Sequence, residues 1–154
     1  GKKIIENVPS VGYLWGDHGS GAQIGKTFIQ HYFDDTMPEE IKSEFEKAGY
    51  SREVILDNVY KKSLPSRYLA KINLFATEYK SNSFVRNVIK SCFDSFFRFQ
   101  ISRYSNSKNY VVNTVGSVGY YHNEIFSEVA IHNGYKPGTV IQSPIQGLIE
   151  FHLM

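Results

Sequence analysis

Cysteine, methionine, tryptophan and proline are scarce: the 154 residues hold one Cys, two Met, one Trp and five Pro. A lone Cys92 excludes an internal disulfide and a cysteine-built zinc site, and it fits a reducing compartment, so cytoplasm is the expected location. No apolar run approaches the ~20 residues of a membrane span, and the opening GKKIIENVPS lacks the apolar stretch of a signal peptide. No membrane partner is expected. Charge of one sign is also lacking. Seventeen basic against 15 acidic residues leave a formal net charge of +2, scattered along the chain, so nucleic acid is not an expected partner either. His18, His31, His122, His132 and His152 show no ligand spacing, so no metal site is expected of them, and they read as loop and surface residues.

Rings are abundant. Eleven Tyr and 11 Phe bring the aromatic share to 15%, which predicts a core built on large side chains. The length suits one domain able to bury about two-thirds of the surface its unfolded chain exposes.

Along the chain, KKIIENVPSVGYLWG reads as a hairpin, with Ile4-Ile5, a turn over residues 7–10, and a strand Val11 to Trp15. Ile24, Phe28, Ile29, Tyr32 and Phe33 then recur at helical spacing. Thr36-Met-Pro-Glu39 predicts a capping box opening a helix that Gly49 ends, and Ser51 starts another helix. Pro65-Ser66 restarts the chain into a stripe of Tyr68, Leu69, Ile72, Phe75, Ala76 and Tyr79. From Ser83, the residues Val85, Val88, Ile89, Cys92, Phe93, Phe96 and Phe97 predict a long, largely buried helix, which makes Cys92 a core residue. Tyr110 to Val115 reads as a strand, Gly116 to Gly119 as a turn, and Tyr121 to Val129 as a helix closed by Asn133-Gly134. A second strand at Thr139 to Ile141 and a last helix opened by Pro144 complete a mixed α/β pattern.

The stretch richest in chemical meaning is GDHGSGAQIGKT, residues 16–27, with four glycines in twelve residues. It is not a Walker A loop, because the position five residues before Gly25 is Ser20, not glycine. The dinucleotide fingerprint fails by one residue before its third glycine. What remains is a strand delivering Asp17 to a turn of small residues at a helix start. That arrangement suits a ligand rich in hydroxyls: the carboxylate accepts hydrogen bonds while Gly19, Ser20 and Gly21 leave room for backbone approach. A plainer reading stands beside it, in which Asp17 caps the helix and the glycines make a tight turn. Lys26 reads as a solvated surface charge rather than a phosphate ligand. Tyr120 and Tyr121 read as helix-start packing rather than base-stacking rings.

WGDHGSGAQIGK resembles the Gly-Asp-Glu-Gly-Ser-Gly segment of the N-acetylglucosamine kinases and the related BadF/BadG-type ATPases. VNTVGSVGYYHNEIFSEVAIHNGY and VIQSPIQGLIEFH resemble that family's adenosine-side turn and closing helix. The resemblance implies an actin-like ATPase domain of ribonuclease H-like fold, a mixed sheet with flanking helices and a helical insert at about 36–104. Residues 1–154 would form the C-terminal lobe, whose partner is the chain's own N-terminal lobe, with the catalytic Asp lying there and no catalytic residue here; a homodimer is compatible with it. The cofactors implied are ATP and Mg²⁺, and the substrate an amino sugar. Asp17, Gly19, Ser20 and Gly21 would line the sugar pocket, and Gly116, Ser117 and Val118 would lie against the adenosine. The expected activity is phosphorylation of N-acetylglucosamine or a related hexosamine. Two alternatives are an ATPase that activates a partner enzyme, for which Cys92 alone supplies no iron–sulfur ligand set, and a non-catalytic sugar or nucleotide sensor. His18 departs from the family's usual Glu, which puts the preferred sugar in question.

Overall fold

A computed structural model describes residues 4–153. Helices begin where the sequence sets a small polar side chain ahead of an apolar stripe. Ser20 accepts from the Gln23 amide at 3.1 Å to open α2 (Gly21–Phe33), Ser51 accepts from Val54 at 3.4 Å to open α4 (Arg52–Tyr60), and Asn82 takes the Phe84 amide at 2.9 Å to open α6 (Ser83–Phe99). Pro65 stands first in α5 (Pro65–Glu78), where its missing N–H has no partner to lose. Helix α3 (Glu39–Lys47) forms where expected and Gly49 follows it at φ +90°, but Thr36 does not cap it. The Thr36 hydroxyl instead meets His31 Nδ1 at 2.7 Å, and the Thr36 amide closes the end of α2 on the His31 carbonyl, so the residue is already engaged.

The expected N-terminal hairpin does not form. Lys2 and Lys3 lie outside the described residues; residues 4–11 carry no regular structure, and Gly12–Trp15 make a single helical turn, α1. A strand there would need a buried face, and Ile5, Val11, Leu14 and Trp15 are all mostly exposed. The segment is pinned from outside: the Glu6 carboxylate accepts from the Ser105 amide at 2.9 Å, and the Val8 amide donates to the Tyr104 hydroxyl at 3.2 Å.

Helices α2 to α6 enclose an aromatic core. Phe28, Phe45 and Phe75 meet edge to face or stacked, with Phe45 and Phe75 at 5.2 Å and 78°, and Tyr50 and Tyr79 close the cluster. The α6 stripe is buried as the periodicity predicts, Cys92 included, apart from half-buried Phe96. Helices α2 and α5 touch at backbone distance, because a Cβ on Gly25 would sit 2.0 Å from the Leu69 carbonyl oxygen. Glycine is required there by space alone.

The rest is a strand–helix–strand unit: β1 (Val111–Val115), α7 (Ser117–Tyr121), α8 (Asn123–His132) and β2 (Lys136–Ile141), followed by α9 (Ile145–Leu153). The α/β class therefore holds, but the balance differs from expectation. Among the described residues the sheet has two parallel strands and is not mixed, while helices dominate. The register runs from Val111↔Lys136 to Val115↔Ile141 with an irregularity after Val112, where the Asn113 side chain accepts the Thr139 amide at 2.8 Å. Gly138 makes room for it, since a Cβ there would lie 2.3 Å from Asn113 Oδ1. Arg86 and Lys90 on α6 pair with Glu128 on α8, tying this unit to the helical body. No helix among the described residues is long and apolar enough to cross a membrane.

Candidate functional site

Asp17 sits in the left-handed region, φ +57°, between α1 and α2. A non-glycine residue held there is strained, and the turn that holds it is closed by the Ser20 amide donating to the Asp17 carbonyl at 2.9 Å. Asp17 does not cap α2, because Ser20 does so. Its carboxylate takes one side-chain hydrogen bond among the described residues, from the Ser10 hydroxyl at 3.3 Å, and keeps acceptor capacity for a ligand. It is delivered by the helical turn α1 rather than by a strand.

Gly19 follows at φ +76°, and a Cβ on it would come within 2.9 Å of Phe96 Cβ. The space beside Gly19 is thus occupied by Phe96, so glycine serves the turn itself. Its amide donates to the Gln23 side chain, which locks the loop onto the first turn of α2.

A cavity of about 240 Å³ unites this loop with the strand–helix unit. Asp17, His18, Gly19 and Ser20 form one side; Thr114, Val115, Val118 and Gly119, from the end of β1 and the start of α7, form another; Phe93 and Phe96 supply an apolar wall. Of the residues singled out in the sequence, Asp17, Gly19, Ser20 and Val118 meet here. Gly21 does not line the cavity: it is buried behind it, with Val118, the Ala70 carbonyl and Asn73 about its Cα. Gly116 and Ser117 do not line it either, and Gly116, at φ +128°, turns the chain from β1 into α7 with open space at its Cα.

Two polar atoms in this cavity's lining are buried without a hydrogen-bond partner, Thr114 Oγ1 and His18 Nδ1. Such atoms cost free energy until something pairs with them, and a polar ligand would do so. The imidazole of His18 packs on Phe99 with ring centroids 5.3 Å apart.

Behind the cavity lies a pair that the sequence reading missed. His122, expected at the surface, is 1% exposed, and its Nε2 lies 2.9 Å from Asn73 Oδ1. As an amide oxygen only accepts, Nε2 carries the proton and Nδ1 is left bare and unpaired. Burial first, and then the Lys80 charge, push the imidazole pKa down to about 4. Asn73 also packs on Gly21, so one hydrogen bond joins α5, which backs the Asp17 loop, to the junction of α7 and α8. A signal existed: Asn73 falls on the same stripe as Leu69, Ile72 and Ala76, where an unpaired polar residue would be costly.

Tyr120 and Tyr121 are 47% and 42% exposed, so they are not the helix-start packing expected of them. Lys26 is not simply solvated; its ammonium donates to the Tyr13 and Leu14 carbonyls at 3.4 Å, bracing α1.

No protein-family model matches the chain, and no curated protein matches it. Among solved structures it is similar to the crystal structure of a Porphyromonas gingivalis protein that carries the name N-acetylglucosamine kinase as a provisional assignment. The two share 33% identity and a TM-score of 0.90, over 97% of this chain and 53% of the other. The chain thus spans about half the length of that protein and shares its fold over that half.

Proposed function

We propose that this chain forms the sugar- and nucleotide-facing part of an ATP-dependent kinase acting on N-acetylglucosamine or a related hexosamine. The observation that carries the reading is the juxtaposition, in one cavity, of the Asp17 loop with the β1–α7 junction, including the unpaired Thr114 hydroxyl. Its likeness to the Porphyromonas gingivalis protein supports it.

In this reading the Asp17 carboxylate accepts hydrogen bonds from sugar hydroxyls, and its strained, pinned backbone fixes their direction before the sugar arrives. Gly119 packs against the Thr114 side chain, so the β1–α7 junction presents Val115 and Val118 as the ligand's second wall. Bound ATP supplies the phosphoryl group that passes to a sugar hydroxyl. Mg²⁺ would travel with the ATP phosphates, which together with water supply most of its oxygen ligands in such kinases. The base that takes the sugar proton is assigned to the other lobe of such a kinase.

The test is ADP release by the complete protein with and without N-acetylglucosamine, in native and Asp17→Asn forms. Sugar-dependent turnover whose kcat/KM falls about 10- to 100-fold in the variant is expected, the loss of a charged hydrogen bond to substrate. Hydrolysis that ignores both sugar and substitution overturns the reading.

A further inference from the structure

An apolar hollow of about 550 Å³ shares no residue with the Asp17 cavity. It lies among α1, α2, α4 and α5, and its walls are aliphatic and aromatic: Ile29, Phe33, Ile55, Leu56, Val59 and Leu69. Two charged residues line it, Lys26 and Arg52. Both are cations, and no carboxylate lines it with them. Among the described residues neither is in an ion pair. The Arg52 guanidinium rests over the Phe33 ring at 5.1 Å, which holds it at the hollow's edge. The Lys26 ammonium spends two donors on long 3.4 Å contacts to the Tyr13 and Leu14 carbonyls and has a third to give.

We propose that this hollow binds a small amphiphilic anion, an alkyl or aryl carboxylate whose apolar body lies on the Ile29–Val59 walls and whose head group meets Lys26 and Arg52. Charge complementarity selects the occupant. A neutral hydrophobe would fill the walls and leave two unneutralised cations, whereas an inorganic anion would satisfy the cations and leave the walls wet. A chain of roughly eight carbons suits a hollow of this size. The site does not depend on the sugar-kinase reading. It explains Lys26 of the Gly-Lys-Thr sequence, which the Asp17 cavity does not use.

Calorimetric titration of the intact protein with octanoate, octanol and inorganic phosphate tests the assignment. Octanoate should bind saturably, one per chain, about tenfold tighter than octanol, with phosphate weaker than both. Combined Lys26→Met and Arg52→Met changes should bring octanoate to within about twofold of octanol while octanol still binds, and Arg52→Met alone, which leaves the Lys26 contacts to α1 in place, should reduce the preference for octanoate in part. Val59→Trp, which fills the hollow, should weaken both. Equal binding of octanoate and octanol by the native protein overturns the proposal without recourse to any variant. So does binding of phosphate as tight as octanoate, or a self-association that octanoate fails to reverse, which would make a second copy the occupant. Octanoate binding and sugar-dependent ADP release are separate measurements on the native protein, so the two readings fail separately.

Discussion

His122 is a base that the fold keeps neutral, and this fixes the sign of its effect on stability. Its folded pKa of about 4 lies below the unfolded value of 6.5, so between them the unfolded chain binds the proton first. Stability is therefore full above pH 6.5 and falls as pH drops toward 4, by about 3 kcal/mol if the shift is fully realised. Urea unfolding at pH 7, 6 and 5 should show the decline, and His122→Gln should flatten it while lowering stability at pH 7. An equally steep decline in the variant would assign the effect elsewhere. The carboxylates held low by cationic partners, Glu44 by Lys47 and Glu128 by Lys90, keep their contribution above the ordinary carboxylate range and lose it as pH falls below that range. Gly19 makes a second residue-scale case. Gly19→Ala places a Cβ in the left-handed region and against Phe96, which should cost about 2 kcal/mol or more and weaken sugar binding through the displaced Asp17 turn, measured by unfolding and by KM. At this scale the sequence made Asp17 and Gly19 legible through glycine density. It hid His122, because burial depends on which distant helices cover it.

Elements were legible where caps and periodicity agreed. Ser51 and Pro65 sit at the helix starts expected of them, and the stripe from Val85 to Phe97 is buried as its spacing requires, whereas α2 is capped by Ser20 rather than Asp17. The hairpin was illegible for the opposite reason: alternating Ile, Val and Tyr residues suit a strand, but nothing in the sequence says whether a partner strand exists. Gly25, whose spacing rules out a Walker A loop, is the point where α2 meets the Leu69 carbonyl. Alanine replaces helical glycine with a gain of up to about 1 kcal/mol where space allows. Gly25→Ala should instead destabilise by about 3 kcal/mol, since backbone atoms cannot move aside singly. Gly147→Ala in α9, where nothing lies within 4 Å, should stabilise slightly. Thermal unfolding of the two variants should give opposite signs.

The whole molecule is uneven in how firmly it is held. Helices α2, α5 and α6 each bury at least five residues, whereas α9 buries none and exposes Ile145, Leu148 and Phe151. Hydrogen exchange of this chain should accordingly protect α5 and α6 most and leave α9 exchanging through local opening. Protection of α9 equal to that of α6 would contradict it. The α/β class could be read from the chain, as could the succession of long helices from α2 to α6 and the two strands after them. The proportion of sheet could not, because short β-rich runs do not reveal how many neighbours they pair with.

The contact between Gly25 and Leu69 also limits how the site can move. Shear between packed helices needs room for alternative interdigitations, and at the Gly25–Leu69 crossing the backbones touch with none to spare. Helices α2 and α5 must therefore travel as one rigid lever. The contacts of Lys26 with the Tyr13 and Leu14 carbonyls tie α1 to the same lever, so the turn that carries Asp17 is coupled to α2 rather than free of it.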